Sequence, residues 1–278
     1  MTKTWFVTGA SRGLGAQIAK AALAAGHNVV ATGRDTDALK AALGAGDARL
    51  LHLALDVTDS AQAVTAVNAA EQRFGAIDVL VNNAGYGLMG YFEETSAEDA
   101  QAQFDTNLFG MMHVCRAVLP GMRRAKAGLI FNISSIAGFR GIPGGSLLCA
   151  SKHAVEGFSE ALAKEVEPFG IFVCLVEPGI FRTGFLSPQS LRFASQPVAD
   201  YAQASESLRQ SYRARDGRQP GDPARLGAAL VMLAREAKPP ARFLAGPDAV
   251  QLMENRIAGL SAELEAWRAL SVSTDAPA

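Results

Sequence analysis

The chain has 278 residues, of which 49% are hydrophobic and 19% charged, with a net charge of −1. This composition excludes a disordered chain, and the near-neutral charge argues against a nucleic-acid-binding protein. The longest apolar runs, such as residues 171–176, are too short to cross a membrane, and the N-terminus does not resemble a signal peptide. Three cysteines in so long a chain do not predict a disulfide framework. We therefore expect a cytoplasmic protein that contacts neither nucleic acid nor membrane.

Short β-branched segments alternate with longer amphipathic segments along the chain. The predicted strands are residues 4–8, 28–32, 49–55, 78–82, 129–134, 171–177 and 242–245. The predicted helices are residues 14–25, 36–42, 60–74, 97–124, 150–167, 223–235 and 250–270. This alternation predicts one doubly wound, Rossmann-type α/β domain over residues 1–278, with a mostly parallel seven-stranded sheet and helices on both faces. Residues 272–278 are expected to form a loose tail.

A glycine-rich turn follows the first predicted strand and opens the first helix. Its residues are Thr8, Gly9, Ala10, Ser11, Arg12, Gly13, Leu14 and Gly15. Glycines let the backbone approach a pyrophosphate, and the helix N-terminus offers free N–H groups. Because this turn lies between a strand and a helix, we interpret it as a nucleotide-binding loop and not as an ordinary turn.

The end of the second predicted strand indicates which dinucleotide binds. Enzymes that prefer NAD usually place a carboxylate there, on the ribose 2′-hydroxyl. Here Gly33 is followed by Arg34, whose guanidinium can bind a 2′-phosphate, and Arg12 adds a second cation. Asp35 comes one position late and is interpreted as a turn residue or helix N-cap. The sequence therefore predicts NADP(H) as cofactor in preference to NAD(H), and the histidine spacing predicts no metal site.

Four further clusters follow later strands in a characteristic order. They are Asp56-Val57, Asn82-Asn83-Ala84-Gly85, Asn132-Ile133-Ser134-Ser135 and Pro178-Gly179-Ile180-Phe181-Arg182-Thr183. Together with the glycine-rich turn, they make residues 3–185 resemble a short-chain dehydrogenase/reductase of the classical type. The resemblance implies a hydride-transferring oxidoreductase that interconverts a carbonyl and an alcohol on a small molecule.

The resemblance also implies a set of cofactor contacts. Gly9, Ser11, Arg12, Gly13, Leu14 and Gly15 would hold the phosphates, and Asp56 and Val57 would meet the adenine. Asn83, Ala84 and Gly85 would lie along the adenosine ribose and the central strand. Pro178, Gly179, Ile180 and Thr183 would hold the nicotinamide end, together with Lys152.

In this family a Ser, a Tyr, a Lys and an Asn carry the catalysis, with Tyr and Lys four residues apart on one helix face. Ser135, Lys152 and Asn107 occupy three of these positions. The Tyr position is Leu148. A leucine has no proton to donate, and loss of a general acid typically costs about 10²–10⁴ in rate. We therefore expect impaired turnover, since replacement of the phenol by Tyr86 or Tyr91 is not favoured.

Two explanations of Leu148 stay open. It is an introduced substitution that silences a reductase, the explanation we prefer because the other site residues are retained, or it is a natural divergence. Two alternative functions also stay open: a non-catalytic NADP-binding protein, and a lyase or isomerase of the same fold without net redox chemistry. A substrate lid is expected at residues 184–222. Two interpretations of the apolar residues in and just before it stay open: contact with a small to medium, apolar carbonyl or alcohol substrate, or packing against the body of the protein; they are Phe181, Phe185, Leu186, Leu191 and Phe193. The resemblance further implies a homodimer or homotetramer formed through residues 97–124 and 150–167.

Overall fold

The computed structural model describes residues 1–276 as a sheet with helices on both faces. The strands are β1 (Thr4–Val7), β2 (Asn28–Gly33), β3 (Leu50–Ala54), β4 (Val79–Asn82), β5 (Gly87–Met89), β6 (Gly128–Ile133), β7 (Ile171–Pro178), β8 (Leu191–Phe193) and β9 (Arg242–Ala245). The helices are α1 (Gly13–Ala24), α2 (Thr36–Leu43), α3 (Ser60–Phe74), α4 (Ala97–Phe104), α5 (Gly110–Ala125), α6 (Ser146–Val166), α7 (Ala202–Arg215), α8 (Pro223–Leu233) and α9 (Pro247–Val272).

The central sheet has the strand order β3-β2-β1-β4-β6-β7-β9, and all its pairings are parallel. The order reverses between β1 and β4, which creates a crevice at the carboxyl ends of the strands, where open α/β sheets bind ligands. Strands β1 and β4 are buried at every position. Continuous burial explains their uninterrupted apolar sequences. The predicted doubly wound fold with a seven-stranded sheet is confirmed.

Two apolar layers cover the sheet. One joins the sheet to α3, α5 and α6 around residues such as Leu80, Val114 and Val155. The other joins it to α1, α2 and α8 around Ile18, Leu39 and Leu230. These side chains are fully or almost fully buried, so both layers hold the carboxyl ends of the strands in fixed positions. Among the described residues, none of the helices combines the length and hydrophobicity needed to cross a bilayer.

The single helix predicted over residues 97–124 is wrong in its detail. The structure divides it into α4 and α5, which are joined by a π-helical turn at Asp105–Phe109. A π turn inserts one extra residue into the helical ladder and is found mostly at functional sites. It contains Asn107, whose side chain is buried.

The predicted lid segment, residues 184–222, is more regular than its polar, proline-interrupted sequence indicates. Within it, β8 pairs in parallel with β5 in a separate two-stranded sheet, and α7 follows. Strand β5 directly follows the Asn82–Gly85 cluster, so this pairing anchors the segment beside the crevice. Helix α9 is also longer than predicted and ends at Val272. The predicted tail therefore begins as helix, and residues 277–278 lie outside the described part of the chain.

Candidate active site

The glycine-rich loop is joined to the segment after β4 by a set of short hydrogen bonds. The Asn83 amide Nδ2 donates to the carbonyl oxygens of Thr8, at 2.9 Å, and Gly9, at 3.1 Å. The Thr8 hydroxyl accepts from the backbone N–H groups of Asn83 and Ala84. A Cβ on Gly15 would overlap the Gly9 carbonyl oxygen and lie 2.5 Å from Asn83 Nδ2. Gly15 therefore has no room for a side chain, and the Asn83 side chain fixes the loop.

This loop ends at the N-terminus of α1. Arg12 precedes the helix in an extended conformation, and its side chain makes no capping bond to the first turn. Within the described chain, the first amide groups of α1 therefore remain available to an anion. A Cβ on Gly13 would lie 3.6 Å from the Thr183 side chain, so the loop after β7 faces the glycine-rich loop. This arrangement fits a dinucleotide pyrophosphate.

At the end of β2, Arg34 is exposed, whereas Asp35 is the N-cap of α2. The Asp35 carboxylate accepts from the backbone N–H groups of Asp37, at 2.9 Å, and Ala38, at 3.1 Å, and so caps α2. The N-cap interpretation of Asp35 is thus confirmed. Because this carboxylate is engaged by the helix, Arg34 is the charged side chain presented next to Gly33.

After β3, the Asp56 carboxylate accepts from the backbone and hydroxyl of Thr58, at 3.0 and 2.8 Å. Val57 is buried, and its carbonyl oxygen lies 3.1 Å from the His113 Nδ1 on α5. These bonds fix the turn after β3 at the carboxyl edge of the sheet. Asp56 and Val57 therefore lie at the same edge as the glycine-rich loop.

The Asn107 side chain hydrogen-bonds two separate segments of the chain. Its Nδ2 donates to the Tyr86 carbonyl oxygen, at 3.1 Å, and to the Ser151 hydroxyl, at 3.2 Å. Its Oδ1 accepts from the Tyr86 backbone N–H at 3.1 Å. The Ser151 hydroxyl in turn donates to the Leu148 carbonyl oxygen at 2.8 Å. Asn107 thus connects the segment after Gly85 to the first turn of α6.

Ser135 and Lys152 meet at the carboxyl end of β6. Ser135 follows the strand, and its Oγ accepts from the Ala137 backbone N–H at 3.1 Å. Because that bond uses an oxygen lone pair, the hydroxyl proton can be donated to another acceptor. The Lys152 ammonium donates to the Ile133 carbonyl oxygen at 2.8 Å. Burial lowers the pKa of Lys152 to about 8, although the nearby Glu156 charge opposes this shift.

Leu148 lies one helical turn before Lys152 and is 7% exposed. It packs in an apolar cluster with Met89, Ala137 and the lid residue Leu191. Further partly buried members of this cluster are Ile142, Leu186, Phe193, Leu208 and Tyr212. Position 148 and part of the 184–222 segment therefore belong to the same apolar cluster. Leu186, Leu191 and Phe193 pack on this cluster, whereas Phe185 is 39% exposed.

The tyrosines considered as replacements for the missing phenol are held by other contacts. Tyr86 lies under the Arg192 guanidinium, 4.7 Å from the ring centre, and burial raises the pKa of its phenol. Tyr91 stacks on Tyr201, with ring centres 4.7 Å apart. Tyr212 of α7, which no sequence motif singles out, packs against the Leu148 cluster, and burial raises the pKa of its phenol as well.

A buried charged cluster beneath Ser135 escaped the sequence analysis. The Arg242 guanidinium contacts the carboxylates of Glu156, at 2.6 Å, and Glu177, which is fully buried. The Ser134 hydroxyl donates to Glu156. Burial and the Glu156 charge raise the pKa of Glu177 to about 8. The Arg242 guanidinium also contacts the Glu160 carboxylate. The four charged residues come from α6, β7 and β9, so no local motif could have revealed their meeting.

Asp248, at the start of α9, is a second residue without a sequence signal. Its carboxylate accepts from the Ile180 backbone N–H at 2.7 Å. A Cβ on Gly179 would overlap the same carboxylate. Asp248 therefore fixes the Pro178–Thr183 loop, which faces the glycine-rich loop across the crevice.

Comparison with known proteins agrees with this geometry. The short chain dehydrogenase family profile matches residues 3–192. The chain belongs to the short-chain dehydrogenase family. It is 42% identical over 277 residues to the oxidoreductase BOA17 of Botryotinia fuckeliana, covering 99% of this chain and 100% of that one. It is 42% identical over 243 residues to a 3-ketodihydrosphingosine reductase of Bacteroides thetaiotaomicron, covering 87% of both chains.

Solved structures support the same family assignment. A short-chain dehydrogenase from Streptomyces avermitilis matches with a TM-score of 0.89 and 40% identity, over 99% of this chain and 98% of that one. A family member from Burkholderia phymatum in complex with NAD has a TM-score of 0.80 and 27% identity, over 94% and 95% of the two chains. ElxO with NADP bound has a TM-score of 0.72 and 28% identity, over 87% and 96%. Short-chain dehydrogenases that resemble this chain thus bind either dinucleotide.

Proposed function

We propose that this short-chain dehydrogenase is an NADP(H)-dependent oxidoreductase scaffold for carbonyl and alcohol interconversion, in which Leu148 suppresses proton transfer. The observation that carries the proposal is the convergence of Ser135, Lys152 and Asn107 around position 148. The Asn107–Ser151–Leu148 hydrogen bonds and the Lys152–Ile133 bond support it. In this proposal position 148 alone departs from the family's catalytic set, because it lacks the phenol that would protonate the substrate oxygen.

Each remaining residue has a definable part in the reaction. A nicotinamide held between the glycine-rich loop and the Pro178–Thr183 loop would supply or accept the hydride. The Ser135 hydroxyl, whose oxygen accepts from Ala137, donates a hydrogen bond to the substrate oxygen. Lys152 supplies a positive charge close to that oxygen, and Asn107 fixes the backbone on both sides of the crevice. The alkoxide that forms on reduction must receive a proton, and Leu148 has none to give.

A preference for NADP(H) rests on the side chains near the adenosine end. Arg34 is exposed after β2, and the Asp35 carboxylate is committed to capping α2. A guanidinium at this position attracts the additional phosphate of NADP, and no adjacent carboxylate is left to bind the ribose hydroxyls of NAD. The Arg12 guanidinium donates instead to the Gln189 carbonyl oxygen at 2.9 Å, so the proposed preference rests on Arg34.

The substrate is proposed to be a small to medium, apolar ketone, aldehyde or alcohol. The Leu148 cluster and the lid residues packed on it make the surroundings of the reacting carbon apolar. A relative named as a 3-ketodihydrosphingosine reductase supports a ketone substrate. We further propose a homodimer or homotetramer that uses α5 and α6, where Phe109 is 41% exposed at the start of α5.

The test compares the native chain with Leu148→Tyr and with Leu148→Phe, which restores the ring without the hydroxyl. NADPH consumption is measured over a panel of ketones and aldehydes, including a long-chain 3-ketone. The proposal predicts turnover by Leu148→Tyr and little by the other two proteins. If Leu148→Tyr and the native chain both bind NADPH and neither consumes it, a non-catalytic binding protein or a lyase or isomerase replaces the proposal. Product formed without a change in nicotinamide absorbance would identify a lyase or isomerase.

A further inference from the structure

Helix α9 leaves the body of the protein after its first two turns. Ala249 is fully buried, and Leu252 and Met253 are half-buried. Every residue from Glu254 to the end of the helix at Val272 is exposed. This exposed part is 19 residues long, or about 28 Å at 1.5 Å per residue. An isolated helix of this length is marginal in water, and Gly259 at its middle weakens it further.

Helix α9 carries a regular apolar seam, most of which lies in the exposed part. Its spacing alternates between three and four residues, the a and d positions of a heptad repeat, over three heptads. The seam consists of Val250, Met253, Ile257, Leu260, Leu264 and Trp267. The last four of these side chains are 45–60% exposed. Seams with this period bury themselves against another helix, so the pattern indicates a helical partner and not a flat protein surface.

We propose that α9 forms an antiparallel two-helix coiled coil with α9 of a second copy of this chain. In the antiparallel register, Val250 lies opposite Trp267 of the second copy, Met253 opposite Leu264, and Ile257 opposite Leu260. Each layer pairs an a position with a d position, and the largest side chain meets the smallest. A parallel pairing would instead place the two Trp267 side chains against each other.

The charges beside the seam favour the same partner. Arg256 and Glu263 occupy flanking g positions, and neither has an ion-pair partner within the described chain. In the antiparallel register, Arg256 of each copy comes level with Glu263 of the other copy, which gives two symmetric ion pairs. Such g-position pairs set partner choice and orientation in coiled coils.

The register also brings the apolar end of each helix to the body of the other copy. Leu270 and Val272 are 62% and 67% exposed. In the antiparallel register Leu270 comes level with Pro247 of the second copy, which lines a surface hollow of about 750 Å³ between α8 and β9. The end of the partner helix therefore lies beside this hollow.

A membrane surface is a poorer fit to the same helix. Residues 254–272 carry three carboxylates and two guanidinium groups, so the polar face has no excess of positive charge. Helices that lie on membranes are usually rich in Lys and Arg on that face. The balanced charges suit a protein partner of the same sequence better than an anionic lipid surface.

The first test measures the native mass of the full-length protein by sedimentation equilibrium. Ile257→Asp with Leu264→Asp places charges in the seam, and Ala262→Asp, on the opposite face, is the matched control. We expect the seam variant to have half the mass of the native protein and the control to keep the native mass, with NADPH affinity unchanged in both. A monomeric native protein, or an unchanged mass in the seam variant, overturns the proposal. Pelleting of the native protein with anionic vesicles, lost in the seam variant, would assign the helix to a membrane.

A charge exchange tests the orientation without altering the seam. Arg256→Glu alone faces Glu263 of the second copy and should weaken association about tenfold. Adding Glu263→Arg should restore it, because each ion pair is re-formed with the charges reversed. In a parallel pair, position 263 would face Arg268, so the double exchange would weaken association further. That result would overturn the antiparallel arrangement.

Discussion

Replacement of Gly15 by alanine tests the proposed cofactor loop most sharply. Gly15 lies inside α1, where alanine ordinarily stabilises a helix by about 0.5–1 kcal/mol relative to glycine. Here the added Cβ would overlap the Gly9 carbonyl oxygen and lie 2.5 Å from Asn83 Nδ2. Forcing a methyl group into packed surroundings costs about 1–3 kcal/mol. Displacing Asn83 also weakens its two hydrogen bonds, at about 0.5–1.5 kcal/mol each.

These costs, less the helix gain, predict that Gly15→Ala lowers the free energy of unfolding by about 1–5 kcal/mol and weakens NADPH binding at least about tenfold. Gly157→Ala on α6 is the matched control, because a Cβ there meets nothing within 4 Å. It should stabilise the protein by about 0.5–1 kcal/mol and leave NADPH affinity unchanged. Urea unfolding and fluorescence titration measure both quantities. Native stability and native NADPH affinity in Gly15→Ala would refute the reasoning.

Three further predictions follow from single side chains. Arg34→Ala should weaken NADPH binding about tenfold more than NADH binding. The control Arg116→Ala, at another exposed arginine, should change neither affinity. Equal losses of affinity for the two dinucleotides would contradict the proposed contact of Arg34 with the 2′-phosphate. Because the folded pKa of Glu177 is raised to about 8, the folded state keeps a proton that the unfolded state loses near pH 4.5. The free energy of unfolding should therefore fall, relative to that of Glu177→Gln, by up to about 1.4 kcal/mol per pH unit between about pH 5 and 8. The same pH dependence of the unfolding free energy in both proteins, measured with urea, would contradict this prediction. The NADPH affinity of the native protein, measured by titration at a series of pH values, should fall as Lys152 loses its charge near pH 8. This fall should be absent in Lys152→Met and present in the control Lys164→Met. The same pH dependence in Lys152→Met would exclude Lys152 as its source.

Much of the fold could be predicted because the decisive signals are local. The continuously apolar strands and the glycine-rich turn each depend on a few adjacent residues, and their order along the chain defines the parallel sheet. Asp35 could be recognised as an N-cap for the same reason, since its partners, Asp37 and Ala38, are two and three positions away. Local chemistry was sufficient wherever bonding partners are close in sequence.

The errors arise where distant segments determine the structure. The π turn at Asp105–Phe109 has an ordinary helical sequence, and the bonds of Asn107 to Tyr86 and Ser151 come from other parts of the chain. Strand β8 forms because β5 is beside it, which a polar segment of low strand propensity does not reveal. Helix α7 was missed because proline-interrupted, charged flanks obscured its pattern.

The candidate site shows the same division. Ser135 and Lys152 were identified from their motifs, and the structure places both at the end of β6. The contacts of Glu177 with Arg242 and of Asp248 with Ile180 span 65 and 68 residues, so no spacing in the sequence predicts them. Arg242 and Asp248 hold β7 and the loop that follows it, and these contacts form only in the folded chain.

If Leu148 deprives an otherwise competent site of its proton donor, a phenol at this position should restore carbonyl reduction. The most direct measurement is the single-turnover rate of NADPH oxidation by the native chain and by Leu148→Tyr, with a ketone that Leu148→Tyr reduces and with cofactor affinity measured on both. We expect equal NADPH affinities and a rate about 10²–10⁴ higher in Leu148→Tyr. Equal rates in the two proteins would contradict this expectation, because the native chain would then possess another proton donor.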